Sequence, residues 1–463
     1  MACHLWGYGQ LCLSIHCFPE IDSGHAMNRE TAKAEAGKIL EQAAKLGADQ
    51  ALNFLNATVA HNYKLLSDDP VVKAEGPWLH TSRGRTIFDG VSAYSAANLG
   101  HGHPLIKEAL KGFLDAGYPT VLGRFMPDPW LALLGRKITQ MTGFDQFLPA
   151  NGGVEAPEAA IKLARRWAAR EKGVLAPEII FADHCFHGRT LTVTQMFDED
   201  DTTARAGFGP FAPGFVRVAF NDLKAIERAI TPNTAAVFLE PIQGEGGINI
   251  PAAGYLSKVR ALCREHNVLA IWDEIQTGWG RTGKLFCWEH EGEKARPDIM
   301  CMGKSASGGF APVSGILANR ALMSLFEPGS HGSTFGGSPL SSLLGVAALT
   351  AIELEKLPQQ AAEKGAYVLQ RLREISAKSP RIKEVRGQGL MLGIELTQDG
   401  PDGHEFTRRL LELGAIIKDT HHWVLRFTPP LVSTREELDF VLGLIEQVFT
   451  EKSRLNSGAF AKA

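Results

Sequence analysis

Lys304 stands in Cys301-Met302-Gly303-Lys304-Ser305-Ala306-Ser307-Gly308-Gly309, and Asp273 in Trp272-Asp273-Glu274-Ile275-Gln276; each directly follows a short apolar run. An amine and a carboxylate so placed are a candidate nucleophile and a candidate partner for a positive charge. Gly303-Lys304-Ser305 also suggests a nucleotide phosphate loop. That loop wraps phosphates with backbone N–H groups and needs a glycine where Asp298 stands, so the reading fails. Gly278–Gly283 has the spacing of a dinucleotide loop, but the residues after it, Lys284 to Asp298, lack the small-residue helix that receives a pyrophosphate.

A better anion site opens the stretch Asn151-Gly152-Gly153-Val154-Glu155-Ala156-Pro157. Pro157 is tolerated in a first helical turn and Glu155 and Glu158 favour its positive end. Ala156, Ala160, Leu163, Ala164 and Trp167 make one apolar face. A glycine pair therefore starts a helix, and the open N–H groups there suit a phosphate. A reactive lysine, a strand-end aspartate and a phosphate-ready helix start together suggest pyridoxal 5′-phosphate. Lys304 would form an imine with the aldehyde, Asp273 would keep the pyridine nitrogen protonated, and the helix start would hold the phosphate.

These residues need a scaffold, and the middle of the chain has the pattern for one. From about Tyr94 to Leu344, short apolar runs alternate with helical stretches, which predicts an α/β fold with a parallel sheet covered on both faces. Ile179–Ala182, Ala236–Leu239, Leu269–Trp272 and Ile299–Met302 read as buried strands. Polar groups gather just after each: His184 to Arg189, Glu240 to Glu245, Asp273 to Gln276, and Gly303-Lys304. Open α/β sheets bind ligands at those carboxyl ends. Arg29 to Thr58 reads as a packing helix, with Leu40, Ala44 and Leu52 among its apolar positions. A helical stretch to about Lys378, apolar runs from Gly389 to Leu431 and a final helix predict a smaller α+β unit after Leu344.

The chain of 463 residues is long enough for two to three structural units at ~150 residues each. Its net charge of −3 lacks the clustered basic footprint that nucleic acids and anionic membranes reward. No apolar segment is long enough to span a membrane. The seven cysteines show neither a disulfide framework nor paired zinc spacing, which points to a reducing cytoplasm. Met27, where charged helix-favouring sequence begins, is the expected biological start after an atypical extension of residues 1–26.

From about Ala60 to Val448 the chain resembles the class III, fold-type I aminotransferases, and most of all their ornithine branch. The resemblance rests on Asn151–Ala156, Phe186–Leu191, Gly207–Phe215, Glu240–Gly247, Asp273–Gly283, Gly303–Gly309, His331–Gly337 and Arg426–Leu431, in family order. It implies a large domain (94–344) with a seven-stranded, mostly parallel sheet. A smaller α+β domain would join residues 27–93 and 345–463. It implies that Lys304 and Asp273 are catalytic, that Gln276 approaches the ring hydroxyl, and that Phe186 stacks on the ring. Gly153 and Val154 would offer N–H groups to the phosphate, and Thr334 would reach the phosphate of a neighbouring subunit, which requires a homodimer.

Arg189 and Arg426 are suited to forked bonds with substrate carboxylates. The resemblance implies that Glu245 masks Arg426 while an ω-amine is bound, and that Tyr63 and Tyr94 line the pocket as in ornithine enzymes. The expected reaction passes the δ-amino group of L-ornithine to 2-oxoglutarate. N-acetylornithine, 4-aminobutyrate or another ω-amine is the alternative, because His187 replaces the tryptophan of ornithine enzymes and Gly152 replaces a hydroxyl residue. His101, His103, His184 and His187 are not expected to bind metal, since nothing at suitable spacing completes a tetrahedral set.

Overall fold

The structure is a computed structural model that describes residues 27–198 and 203–450. The chain divides into two compact units, Met1–Asp68 and Asp69–Ala463. Residues 1–26, and with them the start-site expectation, lie outside the described residues.

In the first unit the single helix read over Arg29 to Thr58 is two, Arg29–Lys45 and Ala48–Thr58. Leu46 and Gly47 are extended, with ψ of 106° and 158°, which ends the helical hydrogen-bond ladder. The Asn28 side chain caps the first helix by accepting the Thr31 N–H at 2.8 Å. Neither helix buries a residue, and Leu40 is 71% exposed.

The second unit is built on a seven-stranded sheet in the order Gln146–Ala150, Ser314–Ala318, Ile299–Met302, Leu269–Asp273, Thr234–Leu239, Glu178–Ala182 and Phe215–Val218. Ser314–Ala318 runs antiparallel to both neighbours and every other pairing is parallel. The four strands read from the sequence fall where expected, and the central ones are buried along their whole length, as strands covered on both faces must be. Helix Glu155–Glu171 lays Ala156, Ala160, Leu163 and Ala164 against the sheet.

Beyond the sheet, the helical stretch is again two helices, Pro339–Leu354 and Leu357–Ser376, separated at Lys356 in the left-handed region (φ 52°) with Pro358 in the next first turn. A four-stranded antiparallel sheet follows: Ile382–Gln388, Met391–Leu396, Val424–Phe427 and Lys418–Thr420. A third sheet joins both ends of this unit, because Ala415–Ile416 adds in parallel to Thr86–Asp89 of the Val71–Asp89 strands. The fold is thus the α/β architecture expected, with the smaller α+β part drawn from N- and C-terminal segments. Among the described residues no helix is long and apolar enough to cross a membrane.

Candidate active site

A cavity of about 540 Å³ opens at the carboxyl ends of the parallel strands, and Gly153, Val154, Phe186, Asp273, Gln276 and Lys304 all line it. Lys304 follows Ile299–Met302 through an extended Gly303 and sits in the left-handed region, φ 47°. A non-glycine residue there stores strain, which surrounding contacts must hold. Next to it, Ser305 accepts a hydrogen bond from the Asn98 amide at 3.0 Å. The Lys304 side chain makes no hydrogen bond or ion pair with any described residue. Burial lowers its pKa from the usual lysine value, while the charges of Glu245, Asp273 and Glu240 push back.

Asp273 ends the strand Leu269–Asp273 and is 4% exposed. One oxygen accepts the Ile275 N–H at 3.1 Å and the other pairs with Nδ1 of His187 at 2.8 Å. The His187 imidazole is enclosed and stacks on Phe238 at 4.1 Å between centroids. Glu240 lies close by, accepting N–H groups of Phe186 at 2.8 Å and Gly244 at 3.1 Å. Burial pushes its carboxyl up to about 7, the His187 charge pulling down and that of Asp273 adding to the rise. On sequence, His187 reads as a departure at the donor end and a rejected metal ligand, and Glu240 as strand-end polarity. Their pairing around Asp273 needs contacts across 86 residues that no local spacing reveals.

At the opposite end of the cavity the Gly153 and Val154 N–H groups have no partner among the described residues, while Glu155 reaches back to accept the Gly152 N–H at 2.9 Å. A Cβ at Gly153 would meet nothing nearer than Ile275 at 3.6 Å, so this helix start is open. Gly188 (φ 117°) lets the Phe186–Arg189 turn approach it, for a Cβ there would lie 2.5 Å from Cβ of Val154. Thr334 is exposed and does not line the cavity.

Arg426, 4% exposed, pairs with Glu245, and its guanidinium lies over the Tyr94 ring at 5.3 Å; the charges of both Arg426 and Glu245 act on Lys304. Burial would raise the Glu245 carboxyl, but the charges of Arg426 and Lys304 outweigh it and hold the group below its usual value. Tyr94 sits in a turn whose four residues Ser92 to Ser95 all have positive φ, and its carbonyl accepts from Gln276 at 3.4 Å. Nothing in the local sequence marks this left-handed turn, which contains no glycine. Arg189 and Glu245 share a smaller cavity, where the Arg189 guanidinium lies over Phe186 at 5.7 Å and Phe197 at 5.6 Å. Tyr63 belongs to the Met1–Asp68 unit and is exposed there.

Among the described residues no group of three or more His, Cys, Asp or Glu is disposed to hold a metal. His101, His103, His184 and His187 each face a carboxylate, of Asp89, Glu355, Asp198 and Asp273 respectively. The donor set instead fits a phosphorylated pyridine aldehyde: unpaired N–H groups at a helix start, an enclosed carboxylate, and a desolvated amine with no partner.

The model of the class III aminotransferases matches residues 58–449. The chain is 44% identical to an ornithine aminotransferase of Brevibacillus brevis, over 89% of this chain and 97% of that protein. It is 47% identical to one of Oceanobacillus iheyensis, over 84% and 96%. The solved ornithine aminotransferase of Toxoplasma gondii, described with partial occupancy of PLP at its active site, superposes with a TM-score of 0.84 at 36% identity, over 92% of this chain and 98% of that one. An acetylornithine aminotransferase of Elizabethkingia anophelis superposes with a TM-score of 0.77 at 36% identity, over 88% and 99%. A cavity shaped for pyridoxal 5′-phosphate and a match over nearly the whole second unit lead to one conclusion: this chain belongs to the class III aminotransferases and uses that cofactor.

Proposed function

We propose that the enzyme passes the δ-amino group of L-ornithine to 2-oxoglutarate, giving glutamate and glutamate 5-semialdehyde, which cyclises to pyrroline-5-carboxylate. The observation that carries this reading is the Glu245–Arg426 pair beside Lys304, with Arg189 free of any ion pair to the described residues. A donor with a distal amine needs one carboxylate anchor, and a dicarboxylic oxo acid needs two. Arg189 serves both, while Arg426 is masked by Glu245 for the first and released for the second.

When bound, pyridoxal phosphate supplies an aldehyde that takes up the amino group and a ring that accepts electrons. The open Gly153 and Val154 amides would hold its phosphate, Asp273 would keep its ring nitrogen cationic, and Gln276 and Phe186, which line the same cavity, would hold the rest of the ring. Lys304 Nζ, its pKa lowered by burial, would remove the proton from the amine-bearing carbon of the substrate.

The relatives named for ornithine at 43–47% identity favour that donor. N-acetylornithine is the second reading, and the acetylornithine enzyme at 36% identity supports it. Residues 94–344 form the cofactor-binding body, and within the second unit the segments before and after it form the smaller domain. A homodimer places exposed Thr334 at the neighbouring phosphate and covers Phe125 (88% exposed) and Phe335 (58%). The free thiols of Cys185, Cys263, Cys287 and Cys301 suit the cytoplasm. Turnover of ornithine, N-acetylornithine, 4-aminobutyrate and lysine with 2-oxoglutarate, measured side by side, tests the reading; a higher kcat/KM for any donor but ornithine would overturn it.

A further inference from the structure

Arg281 is the largest charged side chain that the second unit encloses completely. Its Nη1 donates to the carbonyls of Leu390 at 2.9 Å and Pro429 at 2.7 Å, and its Nη2 to Ser92 Oγ at 3.1 Å and to Asn98 Oδ1. Its own carbonyl accepts the Leu390 N–H at 3.0 Å. All these partners are neutral. Burial pulls the guanidinium pKa down to about 9, with only the charge of Asp89 opposing. A charge buried without a hydrogen-bonded counterion is a costly way to fill space, and an apolar side chain would do it better.

The acceptors show what the guanidinium does instead. Ser92 opens the left-handed turn that carries Tyr94, and its hydroxyl donates onward to the Thr428 carbonyl at 2.6 Å. Asn98 donates to Ser305, the neighbour of Lys304. Pro429 lies three residues past Arg426 on the same chain segment, and Leu390 lies in the turn joining Ile382–Gln388 to Met391–Leu396, which pairs with the Arg426 strand. One planar fork thus reaches the supports of Lys304, which lines the cavity, and of Tyr94 and Arg426, which pack on one another, Arg426 acting on Lys304 through its charge. A lysine cannot replace it, because a single ammonium on a flexible stem does not span acceptors on two sides in fixed geometry.

We propose that Arg281 is a positioning residue that holds the Tyr94 turn, the Lys304 turn and the Arg426 strand at one spacing. The inference rests on the roles proposed above for those three residues. Arg281→Lys should fold, bind glutarate about tenfold more weakly than the wild type, about 1.4 kcal/mol, and shift the pH midpoint of the visible absorbance of the cofactor-loaded protein. Val259→Ala, a core truncation away from the fork, should lower the melting temperature and move neither readout. If Arg281→Lys does not fold, Ser92→Ala should weaken glutarate binding and Asn98→Ala should shift the midpoint. Unchanged affinity and midpoint in the folded variants, or equal shifts in Val259→Ala, overturn the proposal. A wild type that transaminates no amine, while Arg281→Lys still displaces the midpoint, sinks the functional reading and leaves the positioning role standing.

Discussion

Nδ1 of His187 lies 2.8 Å from Oδ2 of Asp273, and the imidazole is wedged on Phe238 with no exposed surface. With the carboxylate as acceptor, the bond places a ring proton on Nδ1 and helps orient Asp273, which lines the cavity, as outer partners of a catalytic group do. It also moves the meaning of this residue. A histidine where ornithine enzymes carry tryptophan points, on sequence, to another donor, yet here its ring is engaged by Asp273 and Phe238. His187→Leu should therefore loosen the cofactor by about tenfold or more, since Asp273 loses a buried charge-assisted bond. The ratio of kcat/KM for ornithine to that for N-acetylornithine should stay within about twofold. Cofactor titration by absorbance and the two kinetic constants check both halves.

Lys304→Ala should lower turnover by about a thousandfold or more, because the amine acts both in holding the cofactor and as a base. The melting temperature of the cofactor-free protein should not fall, for the Lys304 side chain makes no hydrogen bond with the described residues and its burial opposes its charge. Residual steady-state activity near that of the wild type would remove Lys304 from its role.

Glu245→Gln leaves Arg426 without its negative partner, and Arg426 is nearly enclosed. Gln keeps an acceptor for the guanidinium but loses the charge, so the loss of stability should be about 1.5–3 kcal/mol. The kinetic effect should be lopsided: KM for the amine donor rises about tenfold because Arg426 is permanently unmasked, while KM for 2-oxoglutarate holds or falls. Equal changes in both would show that the pair is structural and no switch.

Glu274 is fully buried and accepts N–H groups from Cys287 at 3.0 Å and Trp288 at 2.9 Å, and the Thr277 hydroxyl. Burial pushes its carboxyl up to about 7, the three bonds opposing. Between about pH 4.5 and 7 the folded chain keeps a proton that the unfolded chain has lost, so stability declines as pH rises through that window. Glu274→Gln, which cannot titrate, should be less stable at acid pH yet show a shallower slope, by up to about 1.4 kcal/mol per pH unit. Urea unfolding of the cofactor-free protein at pH 5, 6 and 7 measures it; parallel slopes would refute the assignment.

Gly188→Ala should disturb the phosphate end without touching a charged group. Its φ of 117° and the 2.5 Å approach to Cβ of Val154 leave no room for a methyl group unless the Phe186–Arg189 turn withdraws. A cost of about 1–3 kcal/mol is expected from overpacking and backbone strain, together with weaker retention of the cofactor. Thermal melts with and without the cofactor separate the two effects.

The sequence by itself determined the elements and the order of the chemistry. Apolar runs such as Leu269–Trp272 and Ile299–Met302 are buried strands because water leaves them no other stable place. Each is followed at once by its reactive residue, so Asp273 and Lys304 were legible as strand-end groups, and the glycine pair before Glu155 as an anion site. Breaks were less legible: Leu46-Gly47 and Lys356 interrupt helices where composition alone runs on. Only the tertiary structure decided which groups face one another. His187 meets Asp273 across 86 residues, and Arg281 ties Ser92, Asn98 and Pro429 across as many as 189. Such pairings are set by how whole elements pack, and the left-handed turn under Tyr94 is held by partners distant in the chain. Local propensity carries no trace of either, because the energy that selects them exists only once the strands and helices have come together.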